Sequence, residues 1–126
     1  MSIDSKMSSK FLCTSDTLAE GQYREFRVSD PDLAITVCHE GPIDLVVTRH
    51  QGMAKAWLNV CPHQGRSLNI APDRFITDDE NRLVCCVHGA VFEPSQGRCV
   101  SGPCLNACLK TIHLIESEGS VALATD

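Results

Sequence analysis

Two short stretches decide how this chain is read: Cys61-Pro62-His63-Gln64-Gly65 and Cys85-Cys86-Val87-His88-Gly89. Each sets one thiol and one imidazole within a few residues of each other, as Cys-x-His in the first and Cys-x-x-His in the second. The 21 residues between His63 and Cys85 allow the chain to leave the first loop and return with the second beside it. A glycine closes each stretch, where a backbone must turn with positive φ or pass close to a bound group. Pro62 stiffens the first loop.

Four soft or borderline ligands of this kind suit two centres. Structural zinc accepts two Cys and two His, but its usual spacing is Cys-x₂-Cys followed by His-x₃₋₅-His, and neither half occurs here. A [2Fe–2S] centre with two His replacing two Cys on one iron takes the same four residues with one Cys and one His from each loop. Cys99, Cys104 and Cys108 come near the plant-type ferredoxin spacing but miss its second gap, and that reading leaves both His unexplained. His39, His50 and His113 fall in stretches that read as strand, and are expected to be ordinary strand residues.

Composition bounds the rest. The chain has 126 residues, 43% hydrophobic and 21% charged, as in an ordinary globular domain. Its net charge of −5 argues against nucleic-acid binding and suits a partner with a basic docking face. No apolar run approaches the length of a membrane span. Met1-Ser2-Ile3-Asp4-Ser5-Lys6 has no apolar signal core, so the expected location is cytoplasmic. The eight cysteines then read as two ligands and six thiols, Cys13, Cys38, Cys86, Cys99, Cys104 and Cys108, rather than as a disulfide framework. Cys104 is a candidate to pair with Cys99 or Cys86 under oxidation; the alternative is that these thiols pack as small hydrophobes.

Residues 1–10 are polar and expected to be disordered, with 11–126 forming one domain. Strands are expected at Phe11–Cys13, Arg24–Val28, Leu33–His39, Ile43–His50, Ala54–Val60, Leu83–Cys85 and Val91–Glu93. A hairpin is expected from Lys110–Glu116 and Ser120–Ala124. Ser29-Asp30-Pro31-Asp32 reads as a break, and Asn69–Arg82 as a polar surface excursion with one helical turn. Short strands between Gly- and Pro-rich turns indicate an all-β fold.

Cys-Pro-His-Gln-Gly-Arg-Ser-Leu (61–68), Cys-Cys-Val-His-Gly-Ala-Val-Phe (85–92) and Gly-x-Cys-x-x-Gly-Pro-Cys (97–104) resemble small stand-alone bacterial Rieske proteins. The resemblance runs from about Trp57 to Cys108, the implied cluster-binding part. It implies an antiparallel β-sandwich-like base with a small cluster-binding subdomain made of two loops. It also implies a [2Fe–2S] cluster held by Cys61 and Cys85 on one iron and His63 and His88 on the other. Gly102-Pro103 is similar to the proline-bearing loop that covers the cluster in this family. The chain departs from the family at Cys86, where Pro is usual, and in the longer insert 69–82.

The resemblance extends to the expected chemistry. Two ferric irons, two sulfides and two thiolates sum to zero with neutral imidazoles, so one electron enters more easily than in an all-Cys cluster. High-potential respiratory members place a Ser and a Tyr hydroxyl where this chain has Ala90 and Phe92, which have no side-chain donor. Those members also tie their two loops with a disulfide at the positions of Arg66 and Val87. Both departures imply the low-potential, ferredoxin-like type, in the range of about −150 to 0 mV. The implied role is a one-electron carrier between a reductase and an oxygenase or another acceptor. A regulatory iron–sulfur sensor and a structural zinc module are the alternatives. No enzymatic activity is expected. The 38 residues after His88 hold one His, too few for the two-His carboxylate iron site of a Rieske oxygenase. No Gly-x-Gly-x-x-Gly nucleotide loop occurs either.

Overall fold

The computed structural model describes residues 11–62, 65–85 and 89–124. The expected disorder of 1–10 therefore lies outside the described residues, as do His63, Cys86 and His88. Eleven strands form three antiparallel sheets among the described residues. The first sheet orders β1 (Phe11–Thr14), β11 (Ser120–Leu123) and β10 (Leu114–Ser117). The second orders β2 (Tyr23–Val28), β3 (Ile43–His50), β4 (Met53–Leu58) and β9 (Thr111–Ile112). The third orders β5 (Ile76–Thr77), β6 (Leu83–Val84), β7 (Val91–Phe92) and β8 (Cys99–Ser101).

The second sheet is the middle layer, and the period of two along β3 shows why. Ile43, Leu45 and Val47, with Ile112 of β9, point into a core shared with Cys13, Val121 and Leu123 of the first sheet. Val46 points the other way, into a core with Leu83, Phe92 and Cys99 of the third. Successive side chains on a strand face opposite sides, so a run buried on both faces must be apolar throughout. Leu45, Val46 and Val47 are fully buried, and truncating Leu45 to Ala costs on the order of 2–5 kcal/mol. In β4, Ala56 joins the first core and Trp57 the second. The base is thus the sandwich of first and second sheets, and the third sheet packs on its far side.

Arg49 fastens the base. Its guanidinium donates to the carbonyls of Ser15, Leu18 and Gly52 and to both carboxylate oxygens of Glu116, at 2.7–3.0 Å. All five donors of the fork are engaged, which joins β3 to the turn after β1 and to β10 of the facing sheet.

Three expectations need correction. The expected strand Lys110–Glu116 is broken at His113: β9 (Thr111–Ile112) pairs with β4, and only β10 (Leu114–Ser117) makes the hairpin with β11. The expected strand 33–39 is a helix, α1 (Pro31–Val37). Asp30 caps it by accepting from the Leu33 amide at 3.0 Å, and Pro31 takes the first helical position, where no N–H is needed. Cys38 ends it in the left-handed region at φ 55°, and the His39 amide reaches back to the Ala34 carbonyl at 3.0 Å. Leu33 is the one residue of α1 that is buried; Ile35 is exposed. The start signal at Asp30-Pro31-Asp32 outweighed the β-branched content of a run that buries one side chain. His39 accordingly follows a helix rather than lying in a strand.

The insert 69–82 contains no helical turn. It holds β5 and an isolated bridge between Ala71 and Arg74. Arg24 and the Glu25 amide bind the Asp73 carboxylate at 2.7–3.2 Å, which fastens the insert to β2. The strand β8 at Cys99–Ser101 was not among the expected elements.

Candidate metal centre

Both ligand stretches leave a strand and close with the same hydrogen-bond frame. In the first, the Cys61 amide donates to the Arg66 carbonyl at 2.7 Å, and the Gly65 amide donates to the Cys61 carbonyl at 2.8 Å. In the second, the Cys85 amide donates to Ala90 at 2.8 Å, and Gly89 to Cys85 at 2.9 Å. Gly65 and Gly89 sit at φ +70° and +72°, a left-handed conformation that costs a residue with a Cβ about 1–2 kcal/mol. Each frame encloses three residues. His63 is the second of its three and His88 the third of its three, which is the physical content of the unequal Cys–His spacings.

The two loops come together. Cys61 and Cys85 are 3% and 2% exposed and belong to one core with Trp57, Leu68, Ala90, Phe92, Cys99 and Leu109. Thiols from two loops, desolvated in one apolar core, are soft donors suited to iron in a cluster. The residues described therefore fit a [2Fe–2S] centre in their share of the ligands, Cys61 and Cys85. His63 and His88 lie outside the described residues. His50 and His113 lie in β3 and between β9 and β10, and the His39 ring makes its contact with the Pro42 carbonyl at 3.0 Å.

One supporting residue escaped the sequence reading. Asn59, 1% exposed, precedes the first loop and spans its neck. Its side-chain oxygen accepts from the Leu68 amide and its nitrogen donates to Asn69, both at 2.8 Å. Its own amide donates to the Asp44 carbonyl at 2.9 Å, so entry and exit of the loop are both pinned to β3. An Asn ahead of a motif carries no distinguishing signal, because its two partners are brought there only by folding.

The loop bearing Gly102-Pro103 packs on the second ligand loop. A Cβ on Gly102 would stand 2.8 Å from Ala90 Cα and 3.3 Å from the Gly89 carbonyl, so this loop rests directly on the second ligand loop. Cys104 follows it, half-buried, with its sulfur 3.3 Å from that of Cys99. Burial and the neighbouring Cys99 and Cys61 sulfurs push the Cys104 thiol up to about 12. Ala90 and Phe92 are both 1% exposed, and Ala90 supplies its carbonyl to the loop frame.

A family model described as the Rieske [2Fe–2S] domain matches residues 8–116. No curated protein matches significantly. Among solved structures, the ferredoxin of carbazole 1,9a-dioxygenase from Nocardioides aromaticivorans IC177 is 20% identical. Its TM-score is 0.65, with 92% of this chain and 96% of that one covered. A complex of reduced oxygenase and oxidized ferredoxin in carbazole 1,9a-dioxygenase gives 24% identity and a TM-score of 0.64, covering 90% of each chain. The terminal oxygenase of carbazole 1,9a-dioxygenase from Novosphingobium sp. KA1 gives 18% and 0.70, with 94% of this chain but 31% of that one covered. At these identities the likeness is one of fold. Among the described residues no helix is long and apolar enough to cross a membrane.

Proposed function

Because the chain belongs to the Rieske [2Fe–2S] domain family, we propose that it is a ferredoxin-like carrier that takes one electron from a reductase and passes it to an oxygenase or a similar acceptor. The observation that carries the reading is the matched pair of loops presenting buried Cys61 and Cys85 in one core. Cys61 and Cys85 would hold one iron and His63 and His88 the other, within a cluster-binding part spanning about 57–108. The cluster supplies the one-electron couple. The chain's own residues exclude water from the two thiolates, fix both loops through Asn59 and the glycine frames, and cover the second loop with Gly102-Pro103.

The lower end of the Rieske range follows from the same residues. Ala90 and Phe92 are buried in the core that holds Cys85, and neither side chain can donate a hydrogen bond. Electron density on the sulfurs then goes unstabilised by hydroxyls, which favours the oxidised state. That ferredoxin and oxygenase occur together in a similar structure supports an oxygenase as acceptor, and the net charge of −5 suits a basic docking face on it. We infer no turnover of a substrate by this chain itself. An anaerobic reductive titration tests the reading: one electron per chain, with a midpoint near or below 0 mV, supports it. Uptake of no electron, or a midpoint above about +200 mV, overturns it.

A further inference from the structure

Cys99 lies in β8 with its sulfur fully buried, and its thiol donates to the Ser101 carbonyl at 3.1 Å. The Cys104 thiol donates to the Cys99 sulfur at 3.3 Å, and the two cysteines are unbridged. Their backbones are held in place independently of the sulfurs. The Cys99 amide donates to Ala107 at 2.7 Å, the Asn106 amide to Cys99 at 2.9 Å, and the Ala107 amide to Cys104 at 2.9 Å. A disulfide needs the sulfurs only about 1.3 Å closer, at about 2.05 Å, a distance that side-chain rotation can supply.

The segment between the two cysteines is Val100-Ser101-Gly102-Pro103, the loop that rests on Ala90 and Gly89 of the second ligand loop. Cys104 itself packs against the core that holds Cys61 and Cys85. A bond here would close a short ring around the covering loop, at positions unlike the inter-loop bridge of respiratory members.

We propose that Cys99 and Cys104 are an oxidisable dithiol whose disulfide staples the covering loop over the ligand loops. The oxidant is a small disulfide such as oxidised glutathione. The half-buried Cys104 first gives its proton to solvent, a slow step because burial and the neighbouring sulfurs keep that thiol protonated; its thiolate then attacks one sulfur of the oxidant and releases one glutathione thiolate, which takes up a proton. Cys99 then attacks the Cys104 sulfur of the mixed disulfide. The Cys99–Cys104 bond forms, the bond to glutathione breaks, and the second glutathione leaves as a thiol. Two protein thiols are oxidised and one disulfide is reduced to two thiols. The pairing stands whether or not the chain carries electrons; the stapling rests on the proposed cluster site.

The test uses the cluster-loaded protein, incubated anaerobically with oxidised glutathione, then quenched in acid, alkylated and digested with trypsin. Residues 99–110 leave as one peptide carrying Cys99, Cys104 and Cys108, so wild type and Cys108→Ala are run together. The expected result in both is a peptide two hydrogens lighter, with no alkyl group on Cys99 or Cys104. In Cys104→Ser the closed peptide should vanish. Alkylation of both Cys99 and Cys104 in the wild-type peptide, or a bond that requires Cys108, overturns the pairing. Bleaching of the visible absorbance by EDTA reads the staple. It should be at least threefold slower in the oxidised protein than in the reduced one, with the difference lost in Cys104→Ser. Equal rates would overturn the staple while leaving the electron-carrier reading untouched.

Discussion

Replacing Gly102 by alanine should damage this protein more than the same change at a glycine in an open turn, and the structure says by how much. Gly102 sits at φ +103°, outside the left-handed pocket that L-residues can visit at a cost of about 1–2 kcal/mol. The new Cβ would also stand 2.8 Å from Ala90 Cα and 3.2 Å from Ala90 N. Those are backbone atoms of the second ligand loop, and they are held by the Cys85-to-Ala90 hydrogen bond, so neither can move aside alone. Overpacking of this kind adds about 1–3 kcal/mol, giving a total of roughly 3 kcal/mol or more. Gly119→Ala is the control, because Gly119 has φ +79° with no heavy atom within 4 Å of the added Cβ. Its cost is backbone strain alone, about 1 kcal/mol. At about 4 °C per kcal/mol for a domain of this size, thermal midpoints at one scan rate should fall by about 4 °C for Gly119→Ala. For Gly102→Ala the fall should be about 10 °C or more. The cluster in Gly102→Ala should also bleach faster in EDTA. Equal midpoints for the two variants would refute the close packing of the covering loop on Ala90.

Asn59→Ala should cost about 2–3 kcal/mol, since it leaves the buried Leu68 amide without its acceptor, and it should lower iron content on purification; full occupancy at wild-type stability would contradict its role at the neck of the first loop. The Arg49 fork beside Glu116 holds that carboxyl down to about 2, so its stabilisation is present above the ordinary carboxylate value and is lost as pH falls toward 2. The Glu116 side chain is 28% exposed; after screening, Glu116→Gln should lower stability by about 1–2 kcal/mol at pH 7. The gap between the two proteins should close on acidification, and a pH-independent gap in chemical denaturation would refute this. Ala90→Ser combined with Phe92→Tyr should raise the midpoint potential in a spectroelectrochemical titration, by on the order of 60 mV for each hydroxyl that donates about 1.4 kcal/mol more strongly to the reduced site. An unchanged or lower midpoint would show that missing hydroxyls do not set the potential.

The parts of this molecule that were legible in its sequence are those where chemistry and spacing coincide. Cys61 with Gly65 and Cys85 with Gly89 recur at one spacing because both loops need the same backbone frame, and a frame leaves glycines. Ile43–His50 is legible as a β-branched run because the middle of β3 is buried on both faces and is apolar on both. The helix α1 was misread because β-branched residues fill a segment whose capping residues, Asp30 and Pro31, also suit a break. What stayed hidden depends on long-range contact. Asn59 matters because Leu68 and Asn69 come back to it, and Arg49 because Glu116, 67 residues away, faces it across the sandwich. Strand β8 is three residues long, and its pairing partner β7 has two; such elements are stabilised by neighbours rather than by their own composition.

The central claim is that one cysteine and one histidine from each loop hold a two-iron cluster whose reducible iron carries both imidazoles. Pulsed EPR on dithionite-reduced protein labelled with ¹⁵N-histidine measures this directly. The account predicts one paramagnetic centre per chain with two strongly coupled imidazole nitrogens. Both couplings should disappear with the cluster in Cys61→Ser or Cys85→Ser, and one should be lost in His63→Cys and in His88→Cys if these retain a cluster. A reduced centre without nitrogen coupling, or protein that holds zinc and gives no signal, would contradict it.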